Sequence, residues 1–130
     1  MRKVLFVCIH NTARSVMAVA IFNSLAKSWK AESAGIERAE NIDETVKRLL
    51  AERGLSVKEK PRLMNDVDIN SFDLIIAVCE ESRCIVIPSK DVERWNIENP
   101  AGKDEEVYRK VFADIESRVA ELVKKLEAES

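Results

Sequence analysis

The chain has no glutamine, one histidine, three cysteines, three glycines and three prolines, and aromatic residues make up 5% of its 130 positions. Each scarcity excludes something. The few glycines and prolines are scattered, and no repeat or low-complexity block is visible, so nothing marks a linker, and residues 1–130 read as one domain. One histidine and three dispersed cysteines do not match zinc-ligand spacing, so no metal site and no cofactor are expected. Charge of one sign is not in excess: 21 basic residues face 23 acidic ones, for a formal net charge of −2. That balance excludes the basic footprint of a general nucleic-acid binder and a long acidic tail. No apolar run approaches the roughly 18 residues of a membrane span. The N-terminal apolar stretch stops at Cys8, too early for a signal-peptide core. The expectation is a cytoplasmic protein with no membrane or nucleic-acid partner. There thiols stay reduced, so three cysteines are either buried filler or chemistry. The absence of glutamine beside abundant Lys and Glu leans towards a heat-adapted source.

At 46% hydrophobic, the chain can build a core without disulfide staples. Val4-Leu5-Phe6-Val7 is a continuous apolar run, the pattern of a strand covered on both faces. From Ser15 to about Lys27 the apolar residues fall at helical spacing. Lys30 to Ser33 reads as a short strand closed by Ala34-Gly35. A helix start at Asn41 to Thr45 leads into the stripe Val46, Leu49, Leu50, and Gly54 stands where a C-terminal cap belongs. Leu55 to Asn70 reads mostly as loop, with a helical turn near Asn65 to Val67. Phe72 to Val78 is the strongest strand, Cys84 to Ile87 another, ended by Pro88, and a last helix runs from about Asp104 to Glu127. Alternating strands and helices predict an α/β fold, a parallel sheet covered on both faces. Ligands bind such sheets beyond the carboxyl ends of the strands, where Cys8 and Cys79 both fall.

Cys8-Ile9-His10-Asn11-Thr12-Ala13-Arg14-Ser15 has the form C-x5-R-S between a strand and a helix. Backbone N–H groups of such a loop can turn inward, and the helix N-terminus adds positive potential, so Ile9 to Ser15 are candidate oxyanion-binding residues. Arg14 can fork two donors onto a tetrahedral anion. The same field favours the thiolate of Cys8 and makes it a candidate nucleophile. Ser15 can donate to its sulfur, and Asn11 can hold a left-handed turn. His10 is expected to shape the loop or face solvent more than to move protons. Trp29 reads as packing, and Trp95 as a wall of the site or an anchor for its loop.

The segment from Val4 to Ala18 resembles the opening of the low-molecular-weight protein tyrosine phosphatases, and most closely their thioredoxin-coupled arsenate reductase branch. Ser33-Ala34-Gly35 matches that family's second strand and turn. Asp73 to Cys79, Cys84 and Pro88 resemble the branch's redox segment, and Trp95 to Ala101 the loop carrying the family's Asp-Pro pair. The resemblance implies a three-layer sandwich: four parallel strands flanked by helices on both faces. It further implies that Cys8 attacks arsenate held by the loop and Arg14. Cys79 then attacks the adduct, and Cys84 resolves the disulfide, leaving Cys79–Cys84 for thioredoxin to reduce.

Three features depart from the phosphatase pattern. Asn99 stands where the family has Asp, and a neutral amide cannot protonate a leaving group near pH 7. Glu98 and Asp104 are the nearby carboxylates that could substitute. Pro100 is followed by Ala101-Gly102 rather than aromatic residues, and Ala13 stands where phosphatases often carry a second cysteine. The last two count against a tyrosine phosphatase; Asn99 costs a phosphatase more than a reductase and is the best support for an oxyanion sensor without catalysis. A small phosphatase acting through Cys8 and a non-catalytic oxyanion sensor are the alternatives.

Overall fold

The computed structural model describes residues 1–57, 60–80 and 92–129. Four strands, β1 (Arg2–Cys8), β2 (Trp29–Gly35), β3 (Leu74–Cys79) and β4 (Val92–Asn96), form one parallel sheet in the order β2-β1-β3-β4. Among the described residues the α-helices are α1 (Arg14–Leu25), α2 (Glu44–Glu52) and α3 (Glu105–Ala128).

Successive side chains of a strand point to opposite faces, and β1 divides accordingly. Val4, Phe6 and Cys8 join α1, α2 and α3 in the larger core, while Leu5 and Val7 meet Ala34, Ile75 and Ala77 on the other face. That second face is closed by Met64, Val67, Ile69 and Phe72, from a segment with two short 3-10 turns at Met64–Asp66 and Ile69–Ser71. Layers therefore lie on both sides of the sheet, as expected, with the α-helices on one of them. The helix α1 is buried nearly all round its first two turns, from Arg14 to Ala18 and again at Ile21 and Phe22. It is an inner helix rather than the one-sided amphipathic one its spacing suggested.

The ends of α2 follow the sequence. Asp43 Oδ1 accepts the backbone N–H groups of Thr45 (2.8 Å) and Val46 (3.4 Å), taking up donors that the first turn leaves unpaired. Gly54 adopts φ 73°, and the N–H groups of Gly54 and Leu55 return to the carbonyls of Ala51 and Leu50, a Schellman closure. Asp104 caps α3 through the N–H of Val107.

The fourth strand differs from expectation. It is Val92–Asn96, of which the sequence reading gave only Trp95 and Asn96 to the site loop and the rest to no element, while the strand expected at Cys84 to Ile87 lies outside the described residues. The physical reason is that β4 is an edge strand: Glu93, Arg94 and Asn96 are exposed and only Trp95 is buried, so it lacks the apolar run that marks a central strand. Trp95 packs its ring on Phe6, centroids 5.6 Å apart, and so anchors the edge to the core. Trp29, buried at the start of β2, is packing, as expected.

Candidate active site

Cys8 is the last residue of β1 and Cys79 the last of β3, and these strands are neighbours with Val7 paired to Ala77. Two cysteine positions thus fall at one carboxyl edge, on neighbouring strands. The turn between β1 and α1 leaves Cys8 only 3% exposed, as a free thiol.

Two groups contact its sulfur. The Asn11 N–H donates to Sγ at 3.3 Å, and Ser15 Oγ lies 2.9 Å away. Ser15 Oγ is also 2.8 Å from Asn11 Oδ1. One hydroxyl proton cannot serve both contacts. With Cys8 as a thiol, S–H donates to Ser15, which donates to the Asn11 carbonyl oxygen. With Cys8 as a thiolate, Ser15 donates to sulfur, and the Asn11 amide must turn so that its NH2 donates to Ser15. The trio can therefore hydrogen-bond the sulfur in either form. Asn11 holds φ 57°, the left-handed turn anticipated for it, and is 1% exposed.

The anion-binding potential of the loop has a local cause. Ala13 occupies the N-cap of α1, where no side chain bonds the first-turn N–H groups, and that turn holds no acidic residue. A helix begun this way presents its amide dipoles to whatever occupies the loop. Arg14 is 2% exposed, and its Nη1 donates to the carbonyl of Ile97 at 2.8 Å, so the loop after β4 grips the guanidinium. Ile97 N–H in turn donates to the carbonyl of Cys79 at 3.0 Å.

The loop is held from behind. Ile36 and Glu37 N–H both donate to the Ile9 carbonyl at 2.8 Å, and Asp43 N–H donates to that of Thr12 at 3.1 Å. A Cβ on Gly35 would lie 2.8 Å from His10 C and 2.9 Å from both Asn11 N and Ile9 O. Glycine is required there for the close approach of two main chains. His10 sits on the rim, half-exposed, with Nε2 3.0 Å from Glu37 Oε2.

The remaining expected residues separate. Cys79 is buried and disulfide-bonded. Cys84 lies outside the described residues. Asn99 is half-buried, and its Oδ1 accepts the Ala101 N–H at 3.1 Å, a local turn. Of the two carboxylates offered as substitutes for the missing Asp, Glu98 pairs with Lys103 and Asp104 caps α3. The carboxylate that touches Asn99 is Glu80, whose Oε1 accepts its N–H at 2.9 Å. Sequence reasoning missed this contact, as it missed the role of Gly35 against the loop. A cavity of about 390 Å³ lies behind the loop, between α1 and the segment after α2, and meets the loop only at Asn11. Among the described residues, no group of three His, Cys, Asp or Glu is arranged to hold a metal ion. None of the described helices is long and apolar enough to cross a membrane.

The family model for low molecular weight phosphotyrosine protein phosphatases matches residues 3–130. The chain belongs to this family. Within it, the likeness runs to arsenate reductases. A crystal structure of arsenate reductase from Archaeoglobus fulgidus superposes with a TM-score of 0.90 at 70% identity, over 93% of this chain and 98% of that one. An arsenate reductase from Brevibacillus brevis is 32% identical, over 91% of each chain. A thioredoxin-dependent arsenate reductase from Corynebacterium glutamicum has a TM-score of 0.82 at 29% identity, over all of this chain and 64% of that one. The fold expected for the phosphatase family, a four-stranded parallel sheet in a three-layer α/β arrangement, is the fold observed.

Proposed function

We propose that this member of the phosphatase family is an arsenate reductase that works through a three-cysteine relay and is recycled by thioredoxin. The observation that carries the reading is the adjacency of β1 and β3, which end in Cys8 and Cys79 at one edge of the sheet. A phosphatase needs only the first of these thiols. The high identity to an arsenate reductase supports the same substrate.

In the proposed cycle, the backbone N–H groups of Ile9 to Ser15 and the Arg14 guanidinium hold the arsenate oxygens. The Cys8 thiolate attacks arsenic, forming an S–As bond, and one arsenate oxygen leaves with protons as water. The Cys79 thiolate then attacks the Cys8 sulfur. An S–S bond forms, the S–As bond breaks, and its electron pair stays on arsenic, which leaves as arsenite. Two sulfurs are thereby oxidised and As(V) becomes As(III). Cys84 attacks Cys79, Cys8 departs as a thiolate, and the remaining Cys79–Cys84 disulfide is reduced by the dithiol of thioredoxin. A disulfide at Cys79 with Cys8 free is compatible with the end of that cycle. Asn99 cannot act as an acid, but its Nδ2 group can donate a hydrogen bond to substrate. A reductase tolerates this better than a phosphatase, which must protonate an alkoxide or phenolate.

Arsenite formation with thioredoxin, thioredoxin reductase and NADPH tests the reading, with a glutathione–glutaredoxin arm for the donor. The wild type should turn over, Cys8→Ser should be inert, and Cys79→Ser and Cys84→Ser should each stop recycling. Undiminished thioredoxin-linked turnover in the last two variants would refute the relay.

A further inference from the structure

The contacts around Ile97 to Asn99 form a chain between the two halves of the proposed reaction. Arg14, which would hold the oxyanion, donates to the Ile97 carbonyl, and the Ile97 N–H donates to the Cys79 carbonyl. One residue past Cys79, the Glu80 carboxylate accepts the Asn99 N–H at 2.9 Å. The end of β3 is thus fastened twice to the loop after β4, once by its own main chain and once by a side chain. Among the described residues, the carboxylates next to Asn99 in sequence are engaged elsewhere: Glu98 with Lys103, Asp104 on the α3 N-terminus. A glutamate that accepts a main-chain N–H through its side chain is doing the work of a strand hydrogen bond beyond the last paired residues, Cys79 and Asn96. A plain loop would not need it.

We propose that Glu80 is a positioning residue: its clasp on the Asn99 N–H keeps the end of the Cys79 strand and the loop that grips Arg14 as one body. It thereby sets how fast the Cys79 thiolate attacks the Cys8 sulfur of the arsenic adduct and releases the S–As electron pair to arsenic. This rests on the relay reading above. The reason is geometric. The second thiol must meet a sulfur presented by a loop on another strand, and a misplacement of about 1 Å in such a step costs on the order of a hundredfold in rate. Arg14 keeps its own bond to the Ile97 carbonyl when the Glu80 clasp is lost, so the effect falls on the step that moves Cys79.

Two substitutions separate reach from charge. Glu80→Gln keeps an acceptor oxygen at the same reach and loses the charge; Glu80→Asp keeps the charge and shortens the reach by one methylene. Pre-reduced protein is mixed with arsenate without thioredoxin, quenched at intervals, and scored for arsenite. Hydrolysis of p-nitrophenyl phosphate, which needs Cys8 and Arg14 but not Cys79, is measured in parallel and also reports folding. The expected result is a burst about tenfold slower in Glu80→Asp, wild-type-like in Glu80→Gln, and phosphate-ester hydrolysis within about twofold in both. A wild-type burst in Glu80→Asp overturns the proposal, and so does an equal loss of both activities. A Glu80→Gln burst as slow as that of Glu80→Asp also overturns it, because charge rather than the clasp would then matter. A wild type that hydrolyses the ester yet forms no arsenite fails at the relay itself, before any Glu80 variant is compared.

Discussion

Adding one methyl group at Gly35 should disable the oxyanion loop while the same change at Gly54 should not. At Gly35 the new Cβ would stand 2.8 Å from His10 C and 2.9 Å from Asn11 N and Ile9 O, all main-chain atoms, where ordinary contact begins at 3.4 Å. The loop would have to retreat by about 0.6 Å. That movement opposes the two 2.8 Å bonds from Ile36 and Glu37 to the Ile9 carbonyl. Overpacking of this kind costs about 1–3 kcal/mol in stability. The larger consequence is at the site, since the displaced segment carries the Asn11 N–H that bonds the Cys8 sulfur. At about a hundredfold per ångström of misplacement, the shift corresponds to roughly a tenfold loss in kcat/KM. At Gly54, φ is 73° and nothing lies within 4 Å of the added methyl, so the cost is the left-handed strain alone, about 1 kcal/mol. That is roughly a 4 °C fall in Tm, with activity unchanged. The assay is p-nitrophenyl phosphate kcat/KM beside a thermal melt for Gly35→Ala and Gly54→Ala. If Gly35→Ala loses stability but keeps wild-type kcat/KM, the close approach does not position the loop and the reasoning is wrong.

Two titrations test the surrounding structure. Tyr108 is the single tyrosine, and burial, together with its hydrogen bond to Asp43, pushes its phenol up to about 12. Because the folded value lies above the unfolded one near 10, its contribution to stability is whole below pH 10 and fades from there to about 12. Ultraviolet difference titration should place the tyrosinate midpoint near the upper value, and a midpoint near 10 in folded protein would refute the contact. Glu32 shows the opposite sign. Burial pushes its carboxyl up, but the hydrogen bond and charge of Arg62, aided by Lys3, outweigh it and hold the group below its ordinary 4.5. Its contribution is present above pH 4.5 and is lost as pH falls through the lowered value. Arg62→Gln should move the Glu32 carboxyl resonance to titrate at higher pH, and an unmoved titration would count against the pairing.

Local signals were legible wherever a short stretch of chain decides its own conformation. The C-x5-R-S loop, the left-handed Asn11, the Asp43 and Asp104 caps and the Gly54 closure each depend on residues a few positions apart. The central strands β1 and β3 were legible too, because burial on both faces forces continuous apolar runs. By contrast, β4 is an edge strand that buries one face through Trp95 alone, and no run marks it. The carboxylate at Asn99 was sought among its sequence neighbours, Glu98 and Asp104, and found 19 positions away at Glu80.

The sequence by itself therefore determined the C-x5-R-S loop between a strand and a helix, the alternation of strands and helices, and the placement of Cys8 and Cys79 at strand ends. These are consequences of periodicity and of residue types within one or two turns. Only the tertiary structure decided that β1 lies between β2 and β3, that Gly35 must be bare because the Ile9–Asn11 main chain runs against it, and that Ile97 links Arg14 to Cys79. Those are contacts between segments far apart in the chain, fixed by which strands pair and which faces must be buried, and no local pattern encodes them.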